Sequence, residues 1–308
     1  MSDYRPPLED IRLVLDEISD ISAICDLPGY EHVDPETVHS VLDELGRFVA
    51  EVVAPVNRIG DEEGCTVTDG VVTTPEAFGA AWDKFVEAGW GAVSQDPDYG
   101  GGGFPGAVQT VMTEMIATAS RAWSMGPMLT VGALDALHTF AGEDLKEIYL
   151  PKMVTGEWSG TMNLTEPQAG SDVGALTTRA VPQDDGSYRI FGTKIFITFG
   201  EHELTENIIQ LVLARTPDSP PGTKGISLFV VPKYLVDDDG NPGARNDYQC
   251  LSVEHKIGLH ASPTCVLSYG DAGVGATGFL VGEEHQGMRY MFKMMNNARL
   301  GVGVEGLA

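Results

Sequence analysis

The chain has 308 residues, 43% of them apolar, with 37 glycines and 18 prolines, a globular composition whose length points to about two domains. A net charge of −26 opposes binding to nucleic acid or anionic lipid over most of the surface, so any phosphate would have to be held by local donors. No apolar run approaches the ~18 residues of a spanning helix, no basic segment leads into an apolar one at the N-terminus, and Cys25, Cys65, Cys250 and Cys265 form no C-x-x-C pair; the reading is a soluble cytoplasmic protein without a signal peptide, zinc site or disulfide framework.

Residues 1–33 combine a proline pair with a weakly amphipathic stretch, Ile11 to Ile21, closed by "LPGY", and read as an extension laid over the rest. From Asp34 the pattern is helical. Asp34 suits the N-cap and Pro35 the first turn, Val38, Val41, Leu42, Leu45, Phe48, Val49 and Val52 recur at three and four, and Pro55 is expected to end the helix. "TTPEAFGAAWDKFVEAGW" repeats the device, with Thr74 as cap, Pro75 at the first helical position and Phe78, Trp82, Phe85 and Val86 on one face. Further helices are expected at about 106–119, 126–140 and 143–155, so that 34–158 forms a helical bundle.

After Glu157 the period changes. "SYRIFGTKIFIT", "NIIQLVLART", "GISLFVVPK", "TCVLSYG" and "TGFLVG" are short runs rich in β-branched and aromatic residues, separated by turn signals such as "DDGS" and "DDDGNPG". With no helix-length segment between them, 159–281 reads as a compact antiparallel barrel or sandwich. Helical spacing returns from Glu283, with Met288, Met291, Phe292, Met295 and Leu300 on one face, so 282–308 reads as the start of a C-terminal helical domain. The pattern stops at Ala308 without a cap or stop signal, which reads as a truncation. The fold class is α+β and multi-domain.

Several chemistries can be weighed along the way. "YGGGGFPG" at 99–106 lies among helices, not after a strand in a βαβ unit, and reads as a flexible inter-helix turn. The seven histidines show no tight ligand spacing, His202 reads as a surface or capping histidine in a loop, and neither a G-x-S-x-G elbow nor a Walker A loop is present. "MNLTEPQAGSDVG" at 162–174 is different: Thr165, Gly170, Ser171 and Asp172 bring hydroxyls and bare amides to a bend stiffened by Pro167. Such donors suit a planar heterocycle with a phosphate group, and they equally suit a turn that caps its own backbone.

Taken together, "LTEPQAGSD", "GTKIFIT", "KGISLFVVPK", "EHKIGLHASPT" and "LVGEEHQG" followed by "MMNNARLGVGVEGLA" resemble the acyl-CoA dehydrogenase family in order and spacing along nearly the whole chain. "YRPPLEDIRLVLDEI", "DLPGY" and "GEWSGTMNLTEPQAGSD" are most similar to its branch with an N-terminal extension, the 3-methylmercaptopropionyl-CoA dehydrogenases. The resemblance implies FAD between a middle barrel and a C-terminal four-helix domain, and α,β-dehydrogenation of an acyl-CoA thioester. It also implies an electron-transfer flavoprotein as reoxidant and a homodimer or homotetramer.

The cofactor-binding residues it implies are Met162, Leu164, Thr165, Gly170, Ser171, Phe196, Ile197 and Thr198. Leu164 and Thr165 would meet the pyrimidine end of the flavin, Thr198 its N5 and Ser171 its pyrophosphate, while Phe196 stands where many relatives have tryptophan. Ser171, Asn296 and Arg299 would approach the acyl-CoA, with Asn296 where some relatives carry aspartate. One family location of the catalytic base, directly before Arg299, is Ala298 here, and the other is expected beyond Ala308; the 308 residues alone are therefore expected to be nearly inactive. Two rival readings are a DNA-associated flavoprotein of the same fold, disfavoured by the charge, and a non-catalytic partner subunit.

Overall fold

The structure, a computed structural model, describes residues 4–308. Helix α1 (Leu8–Leu13) runs through a π-turn at Val14–Ile18 and is followed by α2 (Ile21–Cys25), whose left-handed Asp20 accepts a hydrogen bond from the Ala23 N–H. Ile11, Leu15, Ile21 and Cys25 turn inward onto the main helical core. α3 (Pro35–Phe48) starts as its sequence dictates: Asp34 accepts from the Thr37 N–H at 2.7 Å, and Val38, Leu42 and Leu45 are buried at the i, i+4, i+7 spacing of one helix face.

Pro55 does not end this helix. A π-turn at Val49–Val53 carries it into α4 (Ala54–Glu63), and the Ala54 N–H donates to the Val49 carbonyl five residues back. The wider turn puts Pro55 at the opening of the next helical stretch, where its missing donor costs least. The chain then forms a hairpin, β1 (Thr66–Thr68) and β2 (Val71–Thr73), within what reads in the sequence as a helical bundle. Asp69 and Gly70 both have positive φ, 51° and 79°, as a two-residue hairpin turn requires. Val72 is thereby buried in the barrel core.

α5 (Glu76–Glu87) buries Phe78, Trp82 and Phe85 and takes no cap from Thr74. The Thr74 N–H and Oγ1 are instead held by Glu203, at 2.6 and 3.0 Å. Between α5 and α6 (Gly106–Ala119), the glycine-rich turn is locked by main-chain hydrogen bonds: Gly101, Gly102, Gly103 and Phe104 donate to Asp96, Ala92, Gln95 and Val93. A Cβ on Gly101 would lie 2.0 Å from the Gln95 carbonyl oxygen, so close approach, and not flexibility, explains the glycines. α7 (Arg121–Phe140) begins five residues before its expected start at Gly126, because the fully buried Trp123 anchors the extra turn and donates to the Phe78 carbonyl. α8 (Glu143–Thr155) ends at Gly156 with φ 86°.

Strands β3 (Trp158–Asn163), β4 (Arg179–Pro182), β5 (Tyr188–Thr198), β6 (Asn207–Ala214), β7 (Ser227–Pro232), β10 (Tyr248–Val253), β11 (Thr264–Tyr269) and β12 (Ala276–Leu280) form one sheet; β8 (Tyr234–Val236) and β9 (Pro242–Arg245) make a separate hairpin. The order is β10-β11-β5-β12-β7-β6-β3, with β4 also on β5. Hydrogen bonds between Ala180 and Arg215 and between Arg215 and Thr178 join the start of β4 to the end of β6, which closes the ring β4-β5-β12-β7-β6. The strand ladders are antiparallel except β3 with β6, which run parallel through the register Trp158 with Asn207 to Asn163 with Val212; the closing bridge of Arg179 with Arg215 is parallel too. The connection between those two strands is filled by β4 and β5, not by a helix.

Every residue of β6 is buried, yet it keeps a two-residue period. Ile209, Leu211 and Leu213 face the helical core, while Val212 and Ala214 face the barrel interior. The last helix, α9 (Gly287–Leu307), packs on α6, α7 and β7. Met291 and Met294 are fully buried, whereas Phe292 and Leu300, expected on the apolar face, are 41% and 76% exposed. Gly132 of α7 decides this orientation, since the Met294 side chain lies 3.1 Å from where a Cβ would stand. Among the described residues no helix is long and apolar enough to cross a membrane, and no group of three or more candidate ligands could hold a metal ion.

Candidate functional site

Two segments of the 162–174 and 192–200 motifs meet at the rim of the barrel. The Ile195 N–H donates to the Thr165 carbonyl at 2.9 Å, and Thr161 Oγ1 donates to the Thr198 carbonyl at 2.7 Å. Beyond β3 the chain reverses within four residues, Glu166 and Ala169 exchanging both main-chain hydrogen bonds at 3.0 Å. That reversal lays Gly170 over Thr165, whose Cγ2 is 3.4 Å from the place of a Gly170 Cβ. Met162 and Leu164 lean on the helical core, and Ser171 is exposed on the loop that follows.

β5 is bulged at this point. Leu267 of β11 is opposite Lys194 and Cys265 is opposite Ile197, so three steps along β5 match two along β11. Phe196, in the bulge, has φ 60° and a side chain 58% exposed. A bulky residue in the left-handed region is strained by about 1 kcal/mol or more, and such strain collects at functional positions. Ile197, the next residue, is turned into the barrel interior, which leaves only its main chain near the surface. Thr165 and Thr198 are half-buried, Ser171 is exposed, and none of their hydroxyls has a hydrogen-bond partner among the described residues.

Beneath this surface lies a pair of charges. Lys194 and Glu166 are both buried, with Nζ 2.9 Å from the carboxylate, and Lys194 also donates to the Leu164 carbonyl at 3.0 Å. The carboxylate further accepts from the Thr177 N–H (2.7 Å) and Oγ1 (3.1 Å), the Thr178 N–H (3.1 Å) and Oγ1 (2.5 Å), and Gln168 Nε2 (2.7 Å). Burial pushes Glu166 up, but the Lys194 charge and these donors outweigh it and hold the carboxyl at about 2; burial lowers Lys194 to about 8 against the attraction of Glu166. Neither residue is among the candidates the two motifs offer at first reading. A lysine at an inward position of an apolar strand is the usable signal, since a buried ammonium demands an acid.

His202 is not at the surface. It is fully buried between the rings of Trp82 and Phe199, with Nε2 3.0 Å from Ser159 Oγ and Nδ1 accepting from the Leu204 N–H. Burial and the nearby Lys233 charge drop its pKa to about 3, so it is neutral and structural.

A second feature is a cavity of about 420 Å³ among α5, α6, α7 and α9. Its apolar walls include Trp82, Phe85, Met128, Leu134, Leu300 and Val304, and Gln109, Thr113, Asp135 and Asn297 add polar groups. Asn297 Nδ2 donates to Asp135 at 2.7 Å, tying α9 to α7 across the cavity wall. Asn296 and Arg299 do not line it: both are exposed on the outer side of α9, where Arg299 donates to Asn296 Oδ1 at 2.8 Å and lies over the Phe292 ring. Among the described residues no hydrogen bond joins either of them to the barrel motifs.

A helical domain, a barrel whose rim presents unpaired hydroxyls beside a strained aromatic, and an apolar cavity between helices define a class, and the comparisons with known proteins give the same class. Residues 35–157 match the acyl-CoA dehydrogenase N-terminal domain and 161–272 the acyl-CoA dehydrogenase middle domain, and the chain belongs to the acyl-CoA dehydrogenase family.

Its relatives include the 3-methylmercaptopropionyl-CoA dehydrogenase of Ruegeria pomeroyi, 48% identical over 99% of this chain and 51% of that protein. A broad-specificity linear acyl-CoA dehydrogenase of Mycobacterium tuberculosis is 40% identical over 100% of the chain and 51% of its own length. Among solved structures, butyryl-CoA dehydrogenase from Megasphaera elsdenii matches with a TM-score of 0.69 at 26% identity, covering 88% of this chain and 64% of that one. The chain thus spans about half the length of the curated relatives it matches.

Proposed function

We propose that the 308 residues supply the flavin-binding surface and the acyl cavity of an FAD-dependent acyl-CoA dehydrogenase. The observation that carries this reading is the rim itself: three unpaired hydroxyls, on Thr165, Ser171 and Thr198, lie on the two motifs that hydrogen-bond to each other next to Phe196, whose exposed ring sits at a strained bulge. This donor set fits FAD. Neutral hydroxyls and amides suit the edge of an uncharged ring system, Ser171 and the amides near Gly170 suit a phosphate, and the exposed ring offers an apolar face. When bound, FAD supplies the hydride acceptor for oxidation of a Cα–Cβ bond.

The chain's own part is placement. Leu164 and Thr165 hold one edge, Thr198 the other, and Met162, Gly170, Phe196 and the Ile197 main chain shape the surface between them. The cavity takes the acyl chain into a dry interior, where a thioester carbonyl polarised by hydrogen bonds acidifies its α-carbon most. α9 offers no acid–base group at Ala298, and a general base is worth roughly 10²- to 10⁴-fold in rate.

The likeness to the Ruegeria pomeroyi protein favours 3-methylmercaptopropionyl-CoA as substrate, and the Mycobacterium tuberculosis relative keeps linear acyl-CoAs in the same class. We further propose division at about residues 33, 158 and 281, reoxidation by an electron-transfer flavoprotein, a homodimeric or homotetrameric whole and a cytoplasmic location. The test is FAD titration followed by addition of acyl-CoAs of graded chain length to the whole protein. A flavin band that bleaches with 3-methylmercaptopropionyl-CoA is expected; absence of any flavin band after reconstitution refutes the reading.

A further inference from the structure

We infer that Glu166 and Lys194 are positioning residues that set the spacing of the rim's ligand-facing groups, an inference that rests on the flavin reading above. The pair joins separate stretches of the chain. Glu166 directly follows Thr165, and its carboxylate is held by Thr177 and Thr178, so it closes the base of the loop 170–176 that carries Ser171. Lys194 takes the same carboxylate and the Leu164 carbonyl, and it lies two residues before Phe196 in β5. Three separate pieces of backbone, the end of β3, the loop base and the bulged strand, are therefore joined at one buried point.

A pair with only a structural duty would be replaceable. Apolar residues of similar volume often substitute for a buried ion pair at no loss of stability, whereas removal of one partner strands the other charge. Here the carboxylate also takes two main-chain N–H groups, two hydroxyls and one amide, and the ammonium takes a carbonyl. Removing both charges relieves the electrostatic problem, yet it leaves the Leu164 carbonyl without its donor and, with glutamine at 166, one acceptor oxygen where the Thr177, Thr178 and Gln168 donors now share two. Stability and geometry are thus separable, and geometry is what a multidentate site depends on. Three contacts on independent backbone pieces fail together when their spacing changes.

The experiment compares Glu166→Gln, Lys194→Met and the double variant with the unaltered whole protein, by thermal unfolding, by hydrogen exchange of the 170–176 amides in the apoprotein, and by FAD titration with the visible spectrum recorded. The single variants should melt at clearly lower temperature. The double variant should recover most of that loss yet retain faster exchange across 170–176, bind FAD at least about tenfold more weakly and show a shifted flavin band. Joint recovery of stability, exchange and affinity in the double variant overturns the positioning role and leaves a structural pair. If the unaltered whole protein takes up no FAD, the flavin reading falls, while the exchange measurement still decides whether the pair holds the loop.

Discussion

The rim of the barrel and the cavity between the helices are built in opposite ways. At the rim, six donors converge on one carboxylate, a strand is bulged, and a phenylalanine is held at a φ it would not otherwise adopt. The cavity has mostly apolar walls, and its helices are joined by a few scattered bonds, Asn297 to Asp135, Trp123 to the Phe78 carbonyl and Arg121 to Glu305, none of them converging on one group. Directional bonds fix positions to fractions of an ångström, whereas apolar packing fixes mainly volume. A ring system of constant shape requires the first, and a chain of variable length is served by the second.

The hardest test of this contrast is Lys194→Met, which leaves Glu166 buried and unpaired. The expected cost is about 3 to 5 kcal/mol, read as a fall in the denaturant midpoint at unchanged slope. A loss below 1 kcal/mol would remove the distinction between a bonded rim and a packed cavity.

Acid should act on the rim next. The folded pKa of Glu166, about 2, lies below its ordinary 4.5, so its stabilisation is complete above pH 4.5 and is lost as pH falls towards 2. That is roughly 3 kcal/mol over the window, and Lys194, at about 8, stays charged throughout. Unfolding free energies measured from pH 5 to pH 2 should show this limb, and Glu166→Gln should flatten it.

On the cavity side, Val131→Phe fills space beside α6. It should lower affinity for longer acyl-CoAs by about tenfold, with little change for the shortest and none for FAD, as competition binding with a chain-length series would reveal. The smallest effect belongs to Thr165→Ala. Loss of one neutral hydroxyl bond is worth about 0.5 to 1.5 kcal/mol, a few-fold in FAD affinity, with the melting temperature unchanged. An unaltered affinity would remove Thr165 from the contact set.

How far the sequence reveals this molecule depends on the range of the interaction. Helix followed by strand followed by helix is a local matter of period, and it is legible; so is the N-cap at Asp34. The hairpin at 66–73 was legible too, in the alternation around "DG", but the helical signals on both sides obscured it. The fate of Pro55 was not, because a π-turn has no sequence signature of its own.

The partners of Glu166 illustrate the remainder. Lys194 is 28 residues away, and only the return of β5 past β3 brings the two charges together. The same holds at α9, where Asn296 and Asn297 are adjacent and chemically alike. Gly132, on another helix, receives Met294 and so determines that Asn297 faces the cavity and Asn296 faces out. His202 has the same lesson: an acidic neighbourhood in sequence becomes a cage of Trp82, Phe199 and Ser159 in space.

Phe196 stands where two demands on one residue diverge. Glycine would adopt the left-handed backbone at 196 without strain, and deleting an exposed ring removes little packing, so Phe196→Gly should leave the fold as stable or more so. The rim would lose the exposed aromatic surface at 196. A screen for thermal tolerance alone would accept that change and a screen for flavin retention would reject it, which makes position 196 a natural marker for telling variants that merely fold from variants that still bind.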